Sequence, residues 1–133
     1  MSQKINPNAN ERSEERTAMV FLDRKDQQTM QERFENVTVL TQANIYEGGL
    51  CQSRTLVLPD GTKKTLGVYM PGDFFFDSHE PERVLMTSGA VDVLFPGDVE
   101  WRTVKAGENY DVPPNCTFRV RCGEVSQYIC DFL

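Results

Sequence analysis

The segment Ser53-Arg-Thr-Leu-Val-Leu-Pro-Asp-Gly-Thr-Lys-Lys-Thr-Leu-Gly-Val68 decides the class of fold. It holds two short runs rich in apolar and β-branched residues, and Pro59-Asp-Gly61 lies between them. Pro, Asp and Gly are typical of tight turns, because each favours a backbone conformation that reverses the chain. The segment therefore predicts two antiparallel strands joined by a turn.

The same pattern continues on both sides of this hairpin. Short strand-like runs alternate with turns that contain Gly, Pro, Asp or Asn. The connections are too short for parallel crossovers, which need a dozen or more residues. The sequence thus predicts an all-β domain, an antiparallel β-barrel or jelly roll. Eleven strands are predicted: Val37–Leu40, Ala43–Tyr46, Cys51–Leu58, Lys63–Met70, Phe74–Asp77, Val84–Thr87, Ala90–Phe95, Glu100–Val104, Tyr110–Val112, Thr117–Cys122 and Ser126–Phe132.

Length and composition limit the class of protein. The chain has 133 residues, which is room for one domain, and it is 39% hydrophobic and 26% charged. These values exclude a mainly disordered chain, a fibrous repeat and a coiled coil. No apolar run has the roughly 18 to 20 residues of a membrane span, and the first ten residues contain no apolar signal core. We therefore expect a cytoplasmic protein without a membrane partner.

The charges and the cysteines narrow the partners further. Fourteen basic and 20 acidic residues give a net charge of −6, so bulk charge does not hold this chain to nucleic acid. A polyanion would have to meet a local cationic spot. The four cysteines (Cys51, Cys116, Cys122 and Cys130) show no CxxC spacing. Without a signal sequence they are expected to be reduced thiols.

Residues 1–33 form a predicted N-terminal extension, distinct in composition from the β-rich domain at residues 34–133. The extension is rich in Asn, Gln, Glu and Arg, contains no Gly, and carries six basic and six acidic residues. It is compatible with a helix over Ser13–Arg33 or with a loose tail, and the tail is favoured.

Two segments are similar to the sequence motifs of metal-binding cupins. The first cupin motif has a Gly, two close His, a Glu, and then six residues before another Gly. Here Gly72 opens the segment, and Glu82 is followed by six residues and Gly89. The single histidine, His79, is expected to lie in a loop or at a rim and not to bind a metal, because cupin sites use two or three histidines with a carboxylate.

The second cupin motif has a Gly, five residues, a Pro, one residue, a Gly, two residues and a His. Gly107 and Pro113 keep the pattern. Asn115 replaces the second Gly, which is allowed because Asn tolerates a left-handed backbone. Phe118 replaces the His ligand and has no donor atom. The motifs therefore predict a cupin-type barrel whose metal site is missing.

Further segments carry a resemblance to one family. These are Phe34-Glu-Asn-Val-Thr-Val39, Ala43–Tyr46, Ser53–Val68, Met70-Pro-Gly-Asp-Phe-Phe-Phe76, Pro81-Glu-Arg83, Ser88-Gly89, Trp101, Ala106-Gly107, Val112-Pro113 and Tyr128-Ile-Cys130. Together they look like the pyrimidine/purine nucleoside phosphorylase family of small single cupins. The resemblance covers residues 34–133, and the extension lies outside it.

The resemblance implies an activity. A nucleoside and inorganic phosphate would give the free base and a pentose 1-phosphate, with broad acceptance of purine and pyrimidine nucleosides. It also implies a homodimer and no required metal or other cofactor beyond phosphate as co-substrate.

This chemistry needs cations for phosphate, a group that stabilises the ribosyl cation, and a platform for the base. Glu82 is the inward carboxylate expected at the sugar, although a structural ion pair is the alternative. Tyr69 and Phe118 are the expected base platform, because stacking tolerates any base. The other aromatic residues are expected to lie mostly in the core.

The domain holds only eight cations from which a phosphate site can be drawn. Lys64 and Arg83 are the first candidates and are placed with Glu82 as catalytic residues. Lys63 and Arg54 follow as substrate-binding residues. Side chains alternate along a strand, so one of Lys63 and Lys64 should face the barrel mouth and the other solvent. Arg121 serves as the presumed bystander.

Two other functions stay open at this point. A non-enzymatic cupin that senses nucleosides or sugars would bind its ligand without turnover. A structural or interaction module would have a barrel filled by side chains. A metal oxygenase or isomerase is nearly excluded by the missing histidines.

Overall fold

Residues 31–133 are described in the computed structural model of the chain. Residues 1–30 lie outside this part, so the extension and its candidate helix stay predictions. The sheets belong to one compact unit, Asn36–Leu133.

The unit contains eleven strands and one short 3-10 turn, Glu47–Gly49. All eleven predicted strands are present, and their ends differ from the prediction by at most two residues. The strands are β1 (Thr38–Val39), β2 (Asn44–Tyr46), β3 (Cys51–Val57), β4 (Lys63–Tyr69), β5 (Gly72–Asp77), β6 (Glu82–Ser88), β7 (Ala90–Leu94), β8 (Arg102–Lys105), β9 (Asn109–Val112), β10 (Thr117–Cys122) and β11 (Ser126–Phe132).

The strands form two antiparallel sheets. The larger sheet has seven strands in the order β1-β3-β4-β11-β6-β9, and β2 also pairs with β3. The smaller sheet has the order β5-β10-β7-β8. The chain passes repeatedly from one sheet to the other, and the two sheets do not close into a continuous barrel. The prediction of an all-β cupin-type jelly roll is confirmed.

Alternation along the strands places the core between the sheets. Met86 and Val84 of the larger sheet and Val93 and Val120 of the smaller one belong to one buried cluster. Apolar burial of this kind is the main stabilising term for such a domain. In the part of the chain that the structure describes, no helix is long and apolar enough to cross a membrane.

Two local predictions are also confirmed. Asn115 has a φ of 54°, so it occupies the left-handed conformation expected of a residue that replaces Gly. In the hairpin turn, the Thr62 amide donates to Asp60 Oδ1 at 2.9 Å, and Gly61 has a φ of 88°. All four cysteines are free thiols.

Candidate functional site

A cavity opens between the two sheets near the ends of β4, β6 and β11. Its volume is about 120 Å³. The lining combines aromatic rings, hydroxyls, thiols and two carboxylates, and it contains no Lys or Arg from the described residues. The lining residues are Tyr46, Cys51, Ser53, Thr65, Tyr69, Phe76, Asp77, Glu82, Val84, Tyr110, Phe118, Tyr128, Cys130 and Phe132.

Aromatic rings form one wall of the cavity. The ring centroids of Tyr69 and Tyr128 are 4.7 Å apart, and those of Phe76 and Phe118 are 5.8 Å apart. A Cβ atom at Gly67 would lie 2.0 Å from Cζ of Tyr128, so only glycine lets this ring lie against β4. The absence of a side chain at Gly67 therefore shapes the aromatic wall.

The Glu82 carboxylate is the half-buried charge of the site. Its Oε1 atom accepts a hydrogen bond from Cys130 Sγ at 3.3 Å. Burial raises the pKa of Glu82 above its ordinary value, while the Cys130 contact and nearby His79 lower it and Glu80 raises it. A buried carboxylate needs a partner or a ligand, because its water shell is lost. The thiol supplies only one weak donor to this acceptor.

Hydroxyl and thiol groups make up the rest of the polar lining. The hydroxyls of Tyr69 and Tyr110 are 3.0 Å apart, and Cys51 Sγ lies 3.9 Å from the Tyr128 hydroxyl. Burial raises the pKa of Cys51 to about 11, and it raises the pKa of Tyr110 as well. These groups are therefore neutral near pH 7 and act as hydrogen-bonding groups.

The volume of the cavity defines what can enter it. Drug-sized ligands occupy pockets of about 300 to 1,000 Å³, whereas a cavity of about 150 Å³ accommodates a single benzene ring. A space of about 120 Å³ thus matches one ring of a larger ligand. The remainder of such a ligand would lie at the mouth.

The structure brings three of the sequence-predicted site residues together. Glu82, Tyr69 and Phe118 all line the cavity. Phe118 and Val120 are buried on the inner face of β10, while Arg119 and Arg121 pair with Asp73 and Asp92 on the outer face.

Three of the predicted cations lie elsewhere. Arg83 makes a two-bonded pair with Asp111, at 2.8 and 3.0 Å, on the face of β6 opposite Glu82. Lys64 pairs with Asp131, and Arg54 donates to the carbonyl of Thr41. None of these cations lines the cavity, because strand alternation directs each of them to the outer face. Their predicted roles in the reaction stay predictions.

Lys63 differs from these cations. Lys63 lies on the same face of β4 as Thr65 and Tyr69, because even numbers of residues separate them, and those two residues line the cavity. Lys63 is exposed at the start of the strand. It makes no ion pair or hydrogen bond with another described residue. Of the two adjacent lysines, Lys63 is therefore the one on the cavity face.

Sequence reasoning did not single out every residue of the lining. Tyr110, Tyr128 and Phe76 were expected from the sequence to lie in the core. Neither Cys130 nor Asp77 was predicted to line a site. Gly67 in the interior of a strand was the available signal for Tyr128, since such a glycine marks a close approach. Trp101, also expected in the core, instead packs on the outer face, with its ring 4.0 Å from the Arg121 guanidinium carbon.

The metal-binding site of other cupins has no counterpart here. Phe118 occupies the position of one ligand and has no donor atom, and His79 lies on an exposed loop. No cluster of three or more His, Cys, Asp or Glu residues among residues 31–133 is placed to hold a metal ion. The side chains at these positions do not fit the metal of the metal-binding cupins.

The fold of residues 36–133 and this cavity define a small cupin-type domain. The family model described as "Pyrimidine/purine nucleoside phosphorylase" matches residues 41–132. The chain belongs to that family.

Relatives agree with this assignment. A protein from Geotalea uraniireducens named pyrimidine/purine nucleoside phosphorylase is 45% identical over 100 residues, which is 75% of this chain and 96% of that protein. A protein with the same name from Hydrogenovibrio crunogenus is 43% identical over 101 residues, covering 76% and 97%.

Solved structures support the fold. A crystal structure of an Acinetobacter sp. ADP1 protein of unknown function has a TM-score of 0.73 and 40% identity, and covers 76% of this chain and 98% of that one. An RmlC-like cupin from Shewanella frigidimarina has a TM-score of 0.55 at 17% identity, covering 80% and 92%.

Proposed function

We propose that this protein is a nucleoside phosphorylase of broad specificity. It converts purine and pyrimidine nucleosides and inorganic phosphate into the free base and pentose 1-phosphate, as a pentosyltransferase. The observation that carries the proposal is the half-buried Glu82 carboxylate beside an aromatic wall, in a cavity of one-ring size, in a chain of this family.

A pyrimidine base, or one ring of a purine base, occupies the cavity, and the rest of the nucleoside lies at its mouth. A planar heterocycle suits the rings of Tyr69 and Phe118, and stacking does not depend on which base is bound. Glu82 is more exposed than the buried tyrosines, so it lies nearer the mouth. This arrangement accepts purines and pyrimidines alike.

Glu82 acts on the sugar through its negative charge. Its free oxygen accepts hydrogen bonds from ribose hydroxyls, and the carboxylate stabilises positive charge that develops at the anomeric carbon. An electrostatic contact made mainly in the transition state commonly contributes about 3 kcal/mol. Since phosphate itself attacks the sugar, no covalent nucleophile is required.

Lys63 is the cation that we place nearest to phosphate. Continuing the observed β4–β11 register by one residue puts Lys63 opposite Phe132, which pairs with Glu82 on the other side. Two strand spacings separate the backbones of Lys63 and Glu82 by about 10 Å. A lysine side chain and a ribose can together span this gap. The other candidate cations are Lys64, Arg83 and Arg54. We expect their replacement to weaken the use of phosphate less than replacement of Lys63 does.

We further propose that the enzyme is a homodimer and needs no metal. Among residues 31–133, each sheet ends in an edge strand that pairs on one side only, and pairing with a twofold mate is a common way to cover such edges. Light scattering at micromolar concentration should show two chains per particle, and a monomer would refute the dimer. Turnover should survive chelation, and loss that one added metal restores would refute a metal-free reaction.

The test of the activity is release of free base from uridine, inosine, guanosine and adenosine, with and without phosphate. Phosphate-dependent release from all four supports the proposal. Equally fast release without phosphate would identify a hydrolase. Binding of nucleosides without release would favour a sensor.

A further inference from the structure

Two buried tyrosine hydroxyls meet across the cavity. Tyr69 lies on β4 and Tyr110 on β9, with β11 and β6 between them in the sheet. Their side chains bridge this distance over the concave face, and the hydroxyl oxygens are 3.0 Å apart. The two residues are 4% and 1% exposed, and both line the cavity.

Of the two hydroxyl hydrogens of Tyr69 and Tyr110, only one is donated in the hydrogen bond between them. Each tyrosine hydroxyl has one hydrogen to donate, and the bond between the two consumes one. No other described residue accepts the second hydrogen. A buried donor without an acceptor is unfavourable, so a ligand that supplies an acceptor is bound more tightly. Burial raises the pKa of both phenols, so both hydrogens are present at neutral pH.

We propose that the Tyr69–Tyr110 pair binds the base of the nucleoside by donating this hydrogen to an acceptor in the plane of the base. The proposal rests on the proposed function, which puts the base in the cavity. Either tyrosine can be the terminal donor, because the bond between the hydroxyls can run in both directions. The donor thus has two positions, about 3 Å apart, which suits acceptors at different places on purines and pyrimidines.

The pair also favours departure of the base. Negative charge grows on the base as its bond to the sugar breaks, so a hydrogen bond to the base strengthens toward the transition state. The atom of the base that accepts this hydrogen bond can receive it from either tyrosine hydroxyl, because the bond between the two hydroxyls can reverse. Recognition and leaving-group stabilisation come from the same contact.

The test uses Tyr69→Phe, Tyr110→Phe and the double variant, and it measures binding directly by calorimetry. Uracil and hypoxanthine probe the base site, and ribose 1-phosphate probes the sugar site. The double variant should bind both bases roughly tenfold more weakly while keeping its affinity for ribose 1-phosphate. Each single variant keeps one hydroxyl and should lose less. Ser126→Ala, which removes a buried hydroxyl that does not line the cavity, should leave the ratio of base affinity to ribose 1-phosphate affinity unchanged.

Equal base affinity in the double variant and the parent would overturn the proposal, as would equal losses for base and ribose 1-phosphate. A parent protein that binds neither base would also overturn it. If the parent protein binds bases through this pair but releases no base from nucleosides, the proposed function is refuted, and the proposal that the Tyr69–Tyr110 pair binds the base is supported. If the double variant does not fold, the two single variants decide, because each removes one of the two donor positions. An unchanged ratio of uracil affinity to hypoxanthine affinity in both would overturn the proposal.

Discussion

The thiol of Cys130 donates a hydrogen bond to Glu82, with Sγ 3.3 Å from Oε1. Burial and the neighbouring carboxylate hold the pKa of Cys130 far above its ordinary value, so the thiol keeps its hydrogen. Cys130 pairs directly with Thr65 on β4, and it is almost fully buried. The carboxylate proposed to act on the sugar is therefore held by a fixed donor on the neighbouring strand.

Replacement of Cys130 should show whether this contact positions Glu82. Cys130→Ser keeps a donor of similar size, whereas Cys130→Ala removes it. We expect kcat/KM for uridine to fall about tenfold in the alanine variant and to recover largely in the serine variant, because a small displacement of a reacting group is costly. Alanine and serine variants of equal activity would show that the contact is only structural.

Glu82→Gln should raise stability near neutral pH. The folded protein raises the pKa of Glu82, so it disfavours the charged form relative to the unfolded chain. The folded state then binds more protons than the unfolded state between the two pKa values, and stability falls as pH rises through this window. Thermal unfolding should give a higher Tm for the variant at neutral pH and no such gain well below 4.5, the ordinary pKa. A lower Tm at neutral pH would contradict the burial of this charge.

The two adjacent lysines offer a matched comparison for the phosphate site. Lys63→Ala removes the cation on the cavity face, and Lys64→Ala removes one that pairs with Asp131 on the other face. We expect Lys63→Ala to weaken the use of phosphate by up to about a hundredfold and Lys64→Ala to weaken it less. Steady-state kinetics at varied phosphate, with Arg121→Ala as the control, measure this. The reverse order would place the phosphate site on the outer face.

Gly67→Ala should damage the aromatic wall. The added Cβ would lie 2.0 Å from Cζ of Tyr128, so the ring must move. Such overpacking commonly costs about 1 to 3 kcal/mol of unfolding free energy. Denaturant unfolding measures the loss, and Gly123→Ala is the control because its Cβ would meet nothing within 4 Å. Equal stability of the two variants would mean that the wall adapts to a side chain at this position.

The sequence predicted the strands well because their signals are local. Alternation and turn residues mark each strand, and the spacing of the cupin motifs put Glu82 and Phe118 in the cavity. Which of Lys63 and Lys64 faces inward depends on the register of β4 against its neighbours, which no local pattern determines. The partners of Arg83 and Lys64 come from distant strands, β9 and β11, and their carboxylates had no signal in the local sequence.

The hydrogen bond between Tyr69 and Tyr110 was missed for a related reason, since Tyr69 was predicted only as a stacking platform and Tyr110 only as a core residue. A buried tyrosine in a core and a tyrosine that lines a cavity have the same sequence pattern. The difference appears only when Tyr69 and Tyr110, on strands separated by two others, are seen to share one hydrogen bond.

The most direct measurement of the central claim is identification of the sugar product by phosphorus NMR during turnover of uridine. We predict one pentose 1-phosphate for each uracil released, with a much slower reaction for Glu82→Gln and little change for Arg121→Ala. Release of uracil together with free ribose, or no sugar phosphate from any nucleoside, would contradict the account.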